Sequence, residues 1–220
     1  MMRRALLLAA CGMINRAPAQ GTPAPLVAAA EAGDLAALQR LLEAGLPIDG
    51  RDSRGRTALL AATHANRIDV AKLLIKRGAD VNAQDDLQDS PFLYAAAEGR
   101  IEILRLTLAA GADLASTNRY GGTALIPAAH HGHVQTVREL LKTRIEVNHV
   151  NRLGWTALLE AVILGDGGPP YTEIVSLLVS HGADVNLGDA QGVTPLTHAE
   201  QRGQRAVAAI LRAAGAAARR

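Results

Sequence analysis

Apolar residues return at three- and four-residue spacing in a series of short segments. Leu35, Leu38, Leu41 and Leu42 form the first, and Ile68, Val70, Leu73, Leu74 and Ile75 the second. Ile101, Ile103, Leu104, Leu106 and Leu108 form the third, and Val134, Val137, Leu140 and Leu141 the fourth. This spacing puts one apolar stripe along an amphipathic helix. Gly45, Gly78 and Gly111 follow the first three segments. A helix stops there in a left-handed conformation, which glycine adopts without steric cost. Arg144 holds that place in the fourth segment. A positive φ at an arginine would cost on the order of 1 kcal/mol. A shorter apolar stretch precedes each segment; in the first case it holds Leu26 and Val27, with Gly33-Asp34 as the turn.

Two tags recur in register with these segments. Gly78-Ala79-Asp80-Val81-Asn82 returns as Gly111-Ala112-Asp113-Leu114 and as Gly182-Ala183-Asp184-Val185-Asn186. The second tag reads Thr57-Ala58-Leu59, Ser90-Pro91-Phe92, Thr123-Ala124-Leu125, Thr156-Ala157-Leu158 and Thr194-Pro195-Leu196. The first four copies are 33 residues apart, and Ala24-Pro25-Leu26 is a degraded copy one period earlier. The last interval is 38, so the fifth unit carries an insertion, Asp166-Gly167-Gly168-Pro169-Pro170. Two glycines beside two prolines predict a protruding loop. A fixed period of this length predicts a stacked repeat array.

A 33-residue helix-turn-helix unit that opens on Thr-Pro-Leu and closes on Gly-Ala-Asp-Val-Asn resembles the ankyrin repeat. The resemblance implies an all-α ankyrin-repeat solenoid of six stacked helix-turn-helix units with short β-turn fingers. The units fall at 24–56, 57–89, 90–122, 123–155, 156–193 and 194–215, the outer two as caps and 216–220 as a tail. In this family the tag threonine caps the inner helix and proline takes its first position; both roles have a local reason. The family's fourth tag residue is usually histidine. Here it is Leu60, Leu93, Ile126, Leu159 or Thr197, so apolar packing must replace that histidine's hydrogen bonds between repeats.

Hydrophobic residues make up 49% of the chain and aromatics only 2%, which suits close-packed short helices built from alanine and leucine. The first residues follow a different order. Arg3-Arg4 is followed by an apolar run from Ala5 to Ile14 and by Ala17-Pro18-Ala19, the order of a secretory signal peptide cut after Ala19. Residues 20–23 then form a short linker. The apolar run is too short to span a bilayer. Two alternatives stand beside periplasmic export. Leu8-Ala9-Ala10-Cys11 is similar to a lipobox, with Cys11 as a lipid anchor, and the segment also fits a cytosolic leader. The whole chain carries 23 Lys plus Arg against 21 Asp plus Glu; without Arg3, Arg4 and Arg16 the balance is 20 against 21, or −1. No net-charge argument for nucleic acid survives that removal.

No nucleophile elbow, Walker loop or dinucleotide glycine motif is present, so the expectation is a non-enzymatic protein without cofactor. Asp80, Asp113 and Asp184 are turn residues set by the repeat. His130, His131 and His133 cluster within four residues. A small-ligand or metal site at His130 and His131 is the alternative to a binding scaffold, but a metal needs three or four converging ligands. The family resemblance implies a protein partner held by fingertips and concave face, and the expected state is a monomer. The fingertips carry Arg54 and Arg56, then Asp86, Leu87 and Asp89, then Arg119 and Tyr120, then Arg152, Leu153 and Trp155. Trp, Tyr and Arg are enriched in binding hot spots. The candidate partner-binding residues are therefore Arg54, Arg56, Arg119, Tyr120, His131, Arg152, Leu153 and Trp155.

The leader generates the first test. N-terminal sequencing of the protein from fractionated cells should begin at Gln20. A start at Met1 removes the export reading, and a lipid-modified Cys11 replaces it with anchoring.

Overall fold

A computed structural model describes residues 24–217; the leader, linker and Cys11, and residues 218–220 of the tail, lie outside the described residues. Those described form twelve helices and no strand. They come in pairs, a short inner helix and then an outer one. The pairs are α1 (Pro25–Ala32) with α2 (Leu35–Glu43), α3 (Ala58–His64) with α4 (Ile68–Lys76), and α5 (Pro91–Ala97) with α6 (Ile101–Ala109). They continue with α7 (Leu125–His130) and α8 (Val134–Leu141), α9 (Ala157–Ile163) and α10 (Pro169–Ser180), and α11 (Pro195–Gln201) and α12 (Arg205–Ala213). Inner helices stack on inner helices from α1 to α11, and outer on outer from α4 to α12.

Small side chains set that spacing. Ala62, Ala96, Ala129 and Ala161 lie at 0–1% exposure where successive inner helices meet. Leu38, Leu74, Leu104, Leu140, Leu178 and Leu211, all fully buried, supply the matching stripe of the outer helices. Each such leucine contributes about 1.5–3 kcal/mol on leaving water. Leu60, Leu93, Ile126 and Leu159 are likewise buried, so apolar packing does replace the family histidine. An asparagine ladder adds polar ties on the other side. The Asn82 amide oxygen accepts from Asp113 N–H and its Nδ2 donates to Gly111 C=O; Asn148 and Asn186 repeat both bonds one unit further on.

The tag hydroxyls of Thr57, Ser90, Thr156 and Thr194 cap their helices, each accepting from the N–H three residues on at 3.1–3.4 Å. Thr123 does not. Pro127 stands where every other unit has the N–H that bonds the tag carbonyl. With that donor missing, Thr123 C=O accepts from Ile126 N–H instead. Helix α7 starts one residue late, at Leu125, and the Thr123 hydroxyl is buried without a partner.

Two further expectations are corrected. Arg144 is not in the left-handed region. Helix α8 ends early, at Leu141 with Lys142 as its C-cap, and the Thr143 hydroxyl donates to Leu140 C=O, so the chain turns without a residue at positive φ. The 166–170 insertion is not a protruding loop. Pro169 and Pro170 take the first two positions of α10, which the insertion lengthens to twelve residues. Its glycine turn is tied down: Gln204 Nε2 donates to Gly165 C=O at 3.0 Å, and Tyr171 OH donates to His130 C=O at 2.9 Å.

Each finger is built around one Asp or Asn, five residues before the tag. Asp52, Asp85, Asn118, Asn151 and Asp189 each accept, on one oxygen, the N–H groups two and four residues on, at 2.9–3.0 Å. The residue after the tip has positive φ. It is Gly55, Gly121, Gly154 and Gly192, but in the second finger it is Gln88 at φ +61°. Neighbouring fingers bond directly, Arg152 N–H to Tyr120 C=O at 2.9 Å and Asp86 N–H to Arg54 C=O at 3.2 Å.

Gln88→Gly should therefore stabilise the chain by about 0.5–1 kcal/mol, because glycine removes the left-handed strain and the Gln88 side chain is exposed. Arg144→Gly, where no such strain exists, should lose about 0.5–1 kcal/mol through unfolded-state entropy. Denaturant unfolding of both variants checks the pair. A gain for Arg144→Gly would contradict the backbone described above.

Candidate functional site

The fingers after α4, α6 and α8 and the inner helices α5, α7 and α9 enclose a groove of about 400 Å³. Its walls include Arg119, Tyr120, His131, Leu153 and Trp155, so five of the eight candidate residues are brought together. Tyr120 and Leu153 are each 52% exposed and Trp155 is half-buried. Leu164, also exposed, closes the concave end. Arg119 lies over the Tyr120 ring, 4.7 Å from its centroid, and 3.8 Å from Asp89. Arg152 is exposed at the edge, where its Nη1 donates to Arg119 C=O at 2.8 Å and locks two fingers together. Arg54 is exposed too, but on the first finger, away from the groove.

Arg56 is a correction. Its side chain is only 3% exposed, and it is held by Asp52 at 2.9 Å and Glu31 at 3.1 Å. The Asp52 pair lies within the finger, and the Glu31 pair joins the finger to the end of α1. Fingertip register suggested exposure, but the residue adjacent to the tag turns inward under its own finger. Arg56 is therefore a structural ion pair rather than a partner contact.

Glu160 is not among the candidate partner-binding residues, although its register places it on the concave face with Tyr94 and His198. It sits one turn into α9 and is 6% exposed. Asn151 Nδ2 donates to its Oε1 at 2.9 Å, and His130 Nδ1 lies 3.5 Å from Oε2. Burial pushes the carboxyl up to about 7, against the lowering by the Asn151 hydrogen bond. His130 moves down, first by burial and then by the neighbouring His131 ring, 4.6 Å away. Burial also raises Asp89, helped by Asp85 and opposed by Arg119. On the far wall Tyr94 stacks on His64 with centroids 3.8 Å apart. The signal was present in the sequence: the equivalent positions are Ala61, Tyr94, Pro127 and His198, and an acid among them has no counterpart.

The histidines do not assemble a metal site. Among the described residues no three His, Cys, Asp or Glu side chains converge to hold an ion. His131 is exposed, and His133 stands at the start of α8 beside Gly99 of the previous unit. Asp80, Asp113 and Asp184 each accept from the N–H two residues on, as turn residues should.

The Glu160 carboxyl makes stability depend on pH. Its folded value lies above the ordinary carboxylate range, so the folded state binds the proton more tightly than the unfolded chain. The favourable contribution is complete below the unfolded value and is lost as pH rises through about 7. Glu160→Gln keeps the shape without the charge. It should stabilise the chain by about 2 kcal/mol near pH 8 and leave it nearly unchanged near pH 4. Thermal unfolding at the two pH values reads the difference, and equal shifts at both would show that Glu160 is not the titrating group.

Known proteins share the repeat fold. A family model described as ankyrin repeats in three copies matches residues 4–85 and 92–189. An ankyrin repeat domain from Acinetobacter baumannii AYE is 56% identical, with 88% of this chain and 98% of that one covered and a TM-score of 0.85. The ankyrin repeat domain of Bcl-3, a member of the IkappaB protein family, is 28% identical over 88% of this chain and 87% of its own, with a TM-score of 0.79. The Escherichia coli (strain K12) ankyrin repeat protein YahD is 49% identical over 57 residues; the match spans 26% of this chain and 28% of YahD. With its period, caps, stops and fingers in place, the chain belongs to the ankyrin-repeat family.

Proposed function

We propose that the protein is a non-enzymatic binding scaffold that holds a partner protein across the fingers and concave face of its third to fifth units. Ankyrin repeats generally mediate protein interactions, and no catalytic constellation points elsewhere. One observation carries the choice of surface: exposed Tyr120, Leu153 and Leu164 and half-buried Trp155 meet around a single groove. Scattered apolar residues need no explanation, whereas a contiguous patch marks an interaction site. Arg119 and Arg152 edge the patch with the cations common in hot spots. The arginine-start leader and Ala17-Pro18-Ala19 favour action in the periplasm, after export. No described helix is long and apolar enough to cross a membrane.

A buried aromatic anchor commonly contributes about 2 kcal/mol or more to binding, or about thirtyfold in affinity. Affinity capture by the full chain should therefore lose its partner after Trp155→Ala and Tyr120→Ala are combined. An Arg205→Ala control, on the exposed start of the last outer helix, should retain it. Equal capture by the double variant would remove the fingers and groove from the interface. A collapse of the unfolding midpoint by several kcal/mol would instead mark Trp155 as a packing residue.

A further inference from the structure

Glu160 is a carboxyl that the stacking does not require. Ala28, Ala61, Tyr94, Pro127 and His198 fill its place in the other units, whose inner helices also stack on their neighbours. One Glu160 oxygen is occupied by Asn151, while the other faces only His130 at 3.5 Å, beyond good hydrogen-bond distance. Burial and His131 hold His130 below its ordinary value, so it supplies no cation near neutral pH. Asp89 and Glu98 line the same groove. Against these three carboxyls stands Arg119, which lies over the Tyr120 ring and 3.8 Å from Asp89 rather than at Glu160. The groove thus joins aromatic faces to acid left without a strong partner.

We propose that this groove accepts an extended segment of a partner protein carrying an arginine or lysine, whose cation seats against Glu160 and whose stem lies along the aromatic wall. This rests on the docking surface proposed above and names the chemistry of its occupant. Charge complementarity supports a basic side chain. The apolar surface continues out of the groove onto Tyr120 and Leu153, which favours a protein segment over a free amine. Arg119 over Tyr120 shows within this chain how a guanidinium rests on an aromatic face. Only the ionised carboxyl attracts a cation, so seating the basic side chain releases the Glu160 proton.

Of the other groups near α9, His130 adds to that dependence and the rest are held by partners. His130 lies on α7, and its protonation in acid would fill the Glu160 site and weaken binding in the same direction. On α11, His198 is held by Asp189 at 2.8 Å and Glu200 by Arg212 at 2.6 Å. On α10, Glu173 pairs with Arg138 of α8. The Tyr171 hydroxyl is engaged with His130 C=O.

The test uses random linear peptides displayed on phage and selected on the immobilised full chain at about pH 8. Peptides dependent on Trp155 and Tyr120 should carry an arginine or lysine at one fixed position relative to their apolar residues. Replacing that basic residue, or making Glu160→Gln, should each weaken the selected peptide about tenfold or more. The two changes together should do no more than either alone. Wild-type affinity should rise about tenfold from near pH 6 to near pH 8, following ionisation through about 7, and Glu160→Gln should lose most of that rise. Thermal unfolding confirms that Glu160→Gln is folded; Glu160→Asp, which keeps a carboxyl at the position, gives a second variant and should retain the basic preference. Groove-dependent peptides without a basic residue, or peptides bound as tightly by Glu160→Gln, overturn the basic-segment inference and leave the docking surface standing. Selection that yields no peptide dependent on Trp155 and Tyr120 overturns both.

Discussion

The close approach of successive inner helices is the constraint on which the structure depends. A six- or seven-residue helix cannot bury enough surface to be stable alone. Alanines at the contact bring the next helix near, and the outer leucines close the space behind it. Each unit is therefore stable only through its neighbours, the one-dimensional logic of stacked repeats. The fingers inherit their spacing from this stack. One Asp or Asn oxygen takes up two finger N–H groups, so the loop holds its shape without core residues of its own. That economy leaves the tip residues free to vary.

Irregularities of the stack gather where the groove lies. Ala115 stands where Asn82, Asn148 and Asn186 form the ladder, so the third unit lacks that rung toward the fourth. Pro127 removes a cap, Arg144 replaces a stop, and the fifth unit contains the insertion. None is neutral for a regular array. Pro127 also lines the groove, and the insertion is bonded through Tyr171 to the carbonyl of His130, itself on the groove wall. Departures from local rules that cluster at one surface are what a functional site produces.

The repeat, the helix pairs, the caps and the apolar replacement for the family histidine were legible in the sequence, because each follows from period and residue type. The finger core went unread: Asp52, Asp85, Asn118 and Asn151 share the 33-residue period, but nothing in a propensity argument singles them out. The irregular units were harder to read. Arg144 signals a missing glycine, but whether the backbone still needs positive φ depends on what Thr143 can bond. Two glycines and two prolines describe a loop or a helix start equally well, and Gln204 and Tyr171 decide between them from distant sequence positions. Arg56 and Trp155 occupy the same register position in their units, yet Arg56 finds Asp52 and Glu31 and turns inward. Its burial follows from partners that only the fold reveals.

Glu160 brings these threads to the groove. A buried carboxyl is destabilising once ionised, and an apolar residue of similar size would serve the stack better at neutral pH. Arg56 and Asp52 show that this chain can compensate a buried charge fully when structure is the purpose. Glu160 receives only an amide and a distant, neutral imidazole. The difference between those two sites argues against a purely structural role. Stability withheld at Glu160 is available as binding energy to any cation that reaches it, and the open groove supplies the path.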